Sequence, residues 1–352
     1  MVRLVLARLT GIVGCEMGKK MYKLTPLIFA VLSSCTDVYA SCTVFPVNNV
    51  WNTRIDSLPV HANSAQYVAN IGGGTPLHTE FGHDPTNGIP YSTLTGQYFS
   101  SFFTFGNQTE SDQVKYPVNP DTKLEAGDDH HLITIDKDTC KLYEIYHADP
   151  TNLGGDSGAV FDLNTNSMRP MGFTSADAAG LPIFAGLVRY SEIQAGAINH
   201  AIRFTAEKTH GNTWPGTHVT RGQIGNIYTD QPPLGARYRL KADYDISTFH
   251  PTVQIILTAM KKYGMILADN GGNWYISGTP DARWDDDVLS AIGKVRGNAF
   301  EVVDESCMMV KPDSYQADLS QCHKPLIIAK SSVAANSFID DLMAVLTKWG
   351  KI

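Results

Sequence analysis

The segment TSADAAGLPIFAGLVRY, residues 174–190, contains one carboxylate, Asp177, among alanines and glycines. Small residues let the backbone approach another part of the molecule closely, and Pro182 prevents a long helix. The segment therefore predicts a tight connection that holds Asp177 at an uncrowded position, where a carboxylate is suited to general acid or base catalysis. A structural alternative is that Asp177, which follows Thr174 and Ser175, accepts backbone N–H bonds in a turn or helix cap.

Three basic side chains follow Asp177 at distances that make them candidate partners. Arg189 lies beyond the proline-bounded loop, and His200 and Arg203 lie on the next predicted strand, INHAIRFTA. Guanidinium and imidazole groups of this kind would orient the carboxylate or bind an acidic sugar.

A second candidate group lies on a predicted β-hairpin. HLITID (131–136) and KLYEIY (141–146) flank the polar turn KDT, and Glu144 and Tyr146 share one face of the second strand. A carboxylate beside an aromatic ring suits a sugar-binding groove. The structural alternative is a strand glutamate on a solvent-facing surface.

The residues before this hairpin add a carboxylate and two histidines. Asp129, His130 and His131 precede the first strand. Because neighbours on a strand point to opposite faces, at most one of the two histidines can join Glu144.

The third group is the stretch YGMILADNGGNWYISGTPDARW, residues 263–284. Asp269 opens an Asp-Asn-Gly-Gly turn, and three aromatic residues lie near carboxylates in this stretch: Trp274, Tyr275 and Trp284. Aromatic faces stack on sugar rings while acids bind hydroxyl groups, so these aromatics are candidate substrate-binding residues. The same four residues form a strong turn pattern that needs no ligand.

These groups favour a secreted protein that acts on polysaccharide. Hydrolysis needs two carboxylates roughly 5 to 9.5 Å apart, and Glu144 with Asp177 is the predicted pair, with Asp269 in reserve. A lyase would use His130, His200 or Tyr146 as base and Arg203 to neutralise the substrate. The alternative class is a non-catalytic glycan-binding or envelope-associated β-sandwich protein.

Familiar catalytic motifs do not fit the chain well. G-x-S-x-G, H-E-x-x-H and P-loop patterns are absent. GGDSG at 154–158 resembles the nucleophile loop of serine proteases, with His83 or His130 and Asp136 in matching order, but the rest of that pattern is missing. It remains a minor alternative.

No cofactor is expected from the sequence. Asp and Asn are frequent in the loops, but no spacing matches a calcium loop, and no two cysteines have the close spacing of zinc ligands.

Composition limits the class of partner. The chain has 352 residues, of which 43% are hydrophobic and 18% charged, which is typical of a globular protein. A formal net charge of -7 and the absence of a basic stripe argue against nucleic acid as a partner.

The N-terminus predicts export. Lysines precede the apolar run LTPLIFAVL, and VYA ends at Ala40, so residues 1–40 read as a secretory signal peptide. If translation starts at Met17 or Met21, most of residues 1–20 are not part of the signal peptide. The apolar run is too short to span a bilayer, so a secreted or periplasmic location is expected; the alternative is lipoprotein processing at Cys35.

Four cysteines remain after cleavage at Ala40, an even number that suits an oxidising compartment. Three pairings are possible, and we favour Cys42 with Cys140 and Cys307 with Cys322. The second pair closes a short loop, and the first ties the N-terminal segment to a central strand. Free thiols are the alternative.

The fold is predicted to be mainly β, a β-sandwich or jelly-roll-like core with a few peripheral α-helices. Strands are predicted at SGAVFDL, INHAIRFTA and ARYRLKADY, and helices at residues 251–264 and 284–295. We expect one domain over residues 41–304 and a C-terminal appendage over 305–352 that contains a helix.

Four stretches resemble a family of exported bacterial proteins whose activity is uncharacterised: FPVNNVWN (45–52), TSADAAGLP (174–182), INHAIRFT (198–205) and KKYGMILADNGGNWYISG (261–278). The resemblance covers roughly residues 42–304. It implies a secreted bacterial protein and no specific reaction.

Overall fold

The computed structural model describes residues 42–219 and 230–322. In this part of the chain no helix is long and apolar enough to cross a membrane. The predicted signal peptide, the lipidation site Cys35 and the predicted C-terminal helix lie outside the described residues.

Six strands form a mixed sheet that carries the functional site. In chain order they are β1 (His78–Glu80), β10 (Ile202–Ala206), β11 (Arg237–Leu240), β12 (Met265–Asn270), β13 (Tyr275–Ser277) and β14 (Phe300–Val302). Their order across the sheet is β1-β13-β10-β12-β11-β14. The pairs β1–β13 and β10–β12 are parallel, and the other three pairs are antiparallel.

A second sheet of four strands has the order β2-β6-β7-β9. Its strands are β2 (Ser92–Leu94), β6 (Leu132–Asp136), β7 (Lys141–Tyr146) and β9 (Ser157–Asp162). The antiparallel pair β6–β7 is the predicted hairpin. Two small two-stranded sheets complete the strands: β3 (Ser100–Phe102) with β5 (Lys115–Pro117), and β4 (Thr104–Phe105) with β8 (Gly154–Gly155).

The α-helices are short and lie between or beside the sheets. They are α1 (Ser64–Ile71), α2 (Ile183–Gly186), α3 (Tyr190–Ala195), α4 (Pro251–Lys262) and α5 (Asp286–Ser290). Short 3-10 turns occur at Val50–Asn52, Gln108–Glu110, Ala291–Lys294, Gly297–Ala299, Ser306–Met308 and Leu319–Gln321.

Local residues determine where helix α4 begins and ends. Pro251 occupies the first turn, and the His250 side chain accepts a hydrogen bond from the Thr252 amide, which satisfies an N–H group that has no partner within the helix. Gly264, with φ +72, follows the last turn and donates to the Ala259 carbonyl. The apolar stripe of the helix is buried against the six-stranded sheet.

One continuous apolar core joins the two large sheets. It contains Ile133, Leu142 and Phe161 from the four-stranded sheet together with Phe204 and Ile266 from the six-stranded sheet. The mainly β fold with a few peripheral helices is therefore confirmed. The parallel pairs are an addition to the sequence-based prediction, which contained only hairpins.

Both predicted disulfides are confirmed. The Cα atoms of Cys42 and Cys140 lie 5.4 Å apart, and those of Cys307 and Cys322 lie 4.9 Å apart. Cys140 precedes β7, so the first bridge fixes the start of the described chain to the hairpin of the four-stranded sheet. Two disulfides are compatible with an extracellular or periplasmic protein.

Residues 305–322, predicted to begin an appendage, lie against the rest of the described chain. Tyr315 is completely buried, and its amide donates to the Asn166 carbonyl. Gln316 forms a β-bridge with Asn49. Part of the core is thus completed by this segment.

Candidate functional site

A polar cleft of about 220 Å³ opens above one face of the six-stranded sheet. Six ionisable side chains line it: Glu80, Glu125, Asp129, His131, Arg203 and Asp269. They come from both large sheets and their loops, so the cleft exists only in the folded chain.

The floor of the cleft is a row of side chains across adjacent strands. Glu80 on β1 is the register partner of Ser277 on β13, and residues paired in this way point to the same face of a sheet. Arg203 on β10 donates from Nη1 to the Ser277 hydroxyl at 2.6 Å. Strand pairing therefore brings an acid, a hydroxyl and a guanidinium into one line.

A β-bulge brings Asp269 into the same row. Arg203 pairs with Ile266 on β12 and Phe204 pairs with Leu267, but Thr205 pairs with Asp269 because the register shifts by one residue there. Without this shift Asp269 would face the opposite side of the sheet, since side chains alternate along a strand. The bulge thus turns the Asp269 carboxyl towards Arg203.

Asp177 is held against Arg203. Nε of Arg203 donates to Asp177 Oδ2 at 2.8 Å, and Nη2 donates to Oδ1 at 2.7 Å. Both side chains are buried, with 5% of Arg203 and none of Asp177 exposed. This carboxylate, for which the sequence left a catalytic and a capping role open, is the bidentate partner of a buried guanidinium.

The alanines and glycines around Asp177 allow this close approach. Gly180 has φ +72, and a Cβ atom there would lie 2.0 Å from the Thr217 hydroxyl oxygen, so only glycine fits this turn. The Ala179 amide donates to the carbonyl of Ala268, the residue before Asp269. The loop is therefore fastened to β12 beside the cleft.

Asp269 is the carboxyl whose environment favours the protonated form most clearly. Burial raises its pKa well above the ordinary value, and the neighbouring Asp177 carboxylate raises it further, against the opposing charge of Arg203. Arg203 Nη2 lies 3.3 Å from Asp269 Oδ2, and 23% of the Asp269 side chain is exposed. The cleft therefore contains a partly exposed carboxyl whose surroundings favour its protonated form.

Glu80 shows the same direction of shift. Burial raises its pKa, the charge of Arg203 opposes this, and the carboxylates of Glu125 and Asp129 add to the increase. Several acids thus share one cleft with too few cations to keep all of them ionised.

The opposite wall carries a second charged pair. His131 Nδ1 lies 2.5 Å from Glu125 Oε2, and His131 Nε2 lies 3.3 Å from the Ala176 carbonyl oxygen. Burial alone would lower the pKa of His131, but the hydrogen bond and charge of Glu125 raise it overall. Because both ring nitrogens have partners, the His131 side chain is held in place on this wall of the cleft.

Tyr146 and Asp129 form a pair at the rim. The Tyr146 hydroxyl donates to Asp129 Oδ1 at 3.3 Å, and the Tyr146 ring lies 5.4 Å from that of His131. Burial, with the charges of Asp129 and Asp269, raises the pKa of Tyr146 to about 12. Tyr146 is thus protonated and placed within electrostatic reach of both carboxyls.

Glu144 lies behind the cleft. It is fully buried and accepts hydrogen bonds from the amides of Ile183 and Phe184 at 3.0 and 2.8 Å. Burial raises its pKa to about 7, although these amides lower it. Through these two hydrogen bonds Glu144 connects β7 to α2.

His200 and Arg189 belong to a separate cluster around Glu192. Oε1 of Glu192 accepts from Arg189 Nη2 at 2.6 Å and lies 2.9 Å from His200 Nε2. Burial would raise the pKa of Glu192, but His200 and Arg189 lower it to about 2. Neither basic residue lines the cleft, and the guanidinium that binds Asp177 belongs to Arg203.

Two of the three candidate aromatic residues are core residues. Trp274 is completely buried and stacks between Phe204 and Phe300 at 5.7 and 5.3 Å. Trp284 is 3% exposed and donates to the Thr279 carbonyl. Buried rings cannot stack on a sugar. Tyr275 is partly exposed and stacks on His78 at 4.2 Å.

The remaining candidates do not join the cleft. His130 is exposed and is not among the residues that line it. Ser157 of the GGDSG segment is 5% exposed. Its hydroxyl donates to the Ser175 carbonyl, whereas the serine of a protease would donate to a histidine. Asp136 instead accepts from Tyr98 and Thr139.

Within the described ranges no group of three or more His, Cys, Asp or Glu side chains is arranged to hold a metal ion. Comparisons with protein-family models, with curated proteins and with solved structures find no match to this chain. The function must therefore be argued from the cleft itself.

Proposed function

We propose that the protein is a secreted hydrolase that cleaves a polysaccharide in this cleft. The observation that carries the proposal is Asp269, an accessible carboxyl in a polar cleft whose pKa is raised by burial and by Asp177. A carboxyl whose pKa is raised in this way is suited to donate a proton to the oxygen of a leaving sugar.

Asp129 is the proposed second carboxylate. It lines the same cleft from the loop before β6, and it accepts a hydrogen bond from Tyr146. Glycoside hydrolysis needs an acid and an ionised partner that acts as base or nucleophile. Asp269 lines the cleft from β12 and Asp129 lines it from the loop before β6.

Arg203 favours hydrolysis over elimination. A lyase needs a cation that neutralises the substrate carboxylate at the reacting sugar. Arg203 already donates to Asp177, Ser277 and Asp269. Its hydrogen-bonding groups are therefore engaged by the protein, and its role in the proposal is to position Asp269.

The test is the exchange Asp269→Asn in the mature protein, assayed on a panel of polysaccharides for new reducing ends. Loss of a general acid should lower the rate by about 10²–10⁴-fold. The matched control is Asp245→Asn, since Asp245 is exposed and its carboxylate accepts from the Ser247 amide outside the cleft.

Unchanged activity in Asp269→Asn would remove Asp269 from the mechanism. Release of unsaturated uronates, seen by their ultraviolet absorbance, would replace hydrolysis with elimination. Binding to polysaccharide without cleavage by the wild-type protein would favour the non-catalytic alternative.

A further inference from the structure

A larger groove of about 530 Å³ lies beside the cleft. Three chain segments contribute to both cavities: residues 87–89, 125 and 277 line the cleft, whereas residues 90–94, 121–123, 279–281 and 283 line the groove. Hydrogen bonds join these segments, from the Ile89 amide to the Gly278 carbonyl and from the Lys123 amide to the Ser92 hydroxyl, each at 3.0 Å. The groove and the cleft are thus lined by adjoining stretches of the same three segments.

The groove is positively charged, in contrast to the chain as a whole. Its ionisable lining consists of four cations and two acids: Lys123, Lys137, Arg189, Arg283, Asp121 and Asp281. The formal net charge of the full chain is -7. The local excess of positive charge is therefore a property of this surface.

Two of the four cations are already engaged. Arg189 is bound to Glu192, and Arg283 forms an ion pair with Asp281. Lys123 and Lys137 are exposed, and no salt bridge in the described part of the chain includes either of them, although the charge of Lys123 helps to lower the pKa of Asp281. Their ammonium groups are available to a ligand from solution.

An aromatic ring accompanies these charges. Tyr190 lines the groove and is partly exposed, with the Arg283 guanidinium 4.5 Å from the centre of its ring. A ring beside cations provides an apolar surface for a sugar and charge for its acidic substituents.

We propose that this groove binds an acidic polysaccharide through Lys123 and Lys137 and leads it into the cleft. The substrate class rests on the proposed function, whereas binding in the groove can be measured without cleavage. The volume is within the range of ligand clefts, and the recognised groups are sugar carboxylates or sulfates.

The experiment measures binding of Asp269→Asn protein, in which cleavage should be strongly slowed, to three probes by affinity electrophoresis. Polygalacturonate presents carboxylates, dextran sulfate presents sulfates, and dextran is neutral. We expect retardation by one or both acidic polymers, weakened by added salt, and none by dextran. The two acidic probes decide which substituent is preferred.

The variant Lys123→Ala/Lys137→Ala should bind the preferred acidic polymer about tenfold more weakly. The matched control is Lys208→Ala/Lys262→Ala, because both of these lysines are exposed and neither lines the groove. Thermal unfolding of all variants checks that they are folded.

Equal binding of dextran, or unchanged binding by the Lys123→Ala/Lys137→Ala variant, would overturn the groove proposal. The two proposals fail separately. Cleavage of a neutral polysaccharide without retention by acidic polymers removes the groove and leaves the hydrolase, whereas binding of acidic polymer without cleavage by the wild-type protein removes the hydrolase and leaves the groove.

Discussion

Arg203 is the residue around which the site is organised. Its buried guanidinium contacts two carboxyls and a serine hydroxyl from three parts of the chain. A buried cation is costly unless it is paired and hydrogen-bonded, so Asp177 is a stabilising partner, and its charge favours the protonated form of Asp269. The buried pair of Arg203 and Asp177 thus accounts for the rigidity of the site, and the Asp177 carboxylate contributes to the raised pKa of Asp269.

Replacing Asp177 should show this structural dependence. Asp177→Asn leaves the Arg203 guanidinium without its bidentate carboxylate, and we expect unfolding by urea to show a loss of about 3–5 kcal/mol. Activity should fall as well, because Asp269 would ionise in its place. A change below about 1 kcal/mol would contradict the role of Asp177 as counter-ion; Asp245→Asn again serves as the exposed control.

The sequence identified some residues of the site and missed others for clear reasons. Asp269 and Arg203 were candidates because a turn pattern and a neighbouring carboxylate drew attention to them. Glu80 and Ser277 carry no local pattern, since each lies in a three-residue strand. Their role arises only from the pairing of β1 with β13, which no spacing in the sequence indicates.

At the scale of elements, the β-bulge between β10 and β12 is the feature that creates the site. The two strands are parallel neighbours although about sixty residues separate them. Alternation along β12 alone predicts that Asp269 shares a face with Leu267, but the register shift gives it the face of Arg203. A single-residue offset between distant strands lies beyond what a pattern within one strand can show.

The two disulfides differ in the length of chain that they close. Cys42 and Cys140 are 98 residues apart, and Cys307 and Cys322 are 15 apart. Constraint of the unfolded chain grows with loop length, so Cys42→Ser/Cys140→Ser should cost about 4–5 kcal/mol and Cys307→Ser/Cys322→Ser about 3 kcal/mol. Urea unfolding of the two double variants measures both values, and the reverse order would contradict this explanation.

At the scale of the whole molecule, local features were predictable and the arrangement of sheets was not. The β6–β7 hairpin, helix α4 and the short Cys307–Cys322 loop follow from local patterns in the sequence. The pairing of β1 with β13 joins His78 to Tyr275, and such a contact depends on how the complete apolar core assembles. The cleft forms between the two large sheets. The residues that line it therefore depend on how the sheets are arranged, which was the hardest feature to predict from the sequence.

Buried acids are distributed through the whole core. Burial raises the pKa of Glu144 to about 7 and that of Glu305 to about 8. Among the described residues neither carboxyl oxygen of Glu305 has a hydrogen-bond partner, and Arg237 Nη1 is 3.9 Å away. The pKa values of Asp269 and His131 are also raised. All four groups bind a proton more tightly in the folded protein than in the unfolded chain.

The sign of their combined effect on stability follows from linkage. For a carboxyl with a raised folded pKa, the stabilisation is fully present below the unfolded value of 4.5 and is lost as pH rises through 7 and 8. For His131 the stabilisation is present below 6.5 and is lost above that value. The free energy of unfolding should therefore be larger near pH 5 than near pH 8, by a few kcal/mol.

Glu305→Gln isolates one part of this pH dependence. The amide keeps the shape of the carboxylic acid but cannot ionise, so the variant should lose less stability than wild type between about pH 5 and pH 8. Urea unfolding at a series of pH values measures the slope, and Glu207→Gln is the matched control because Glu207 is exposed. If Glu305→Gln and Glu207→Gln have the same slope as wild type, Glu305 is ionised in the folded protein, and Arg237 must then stabilise its charge across 3.9 Å.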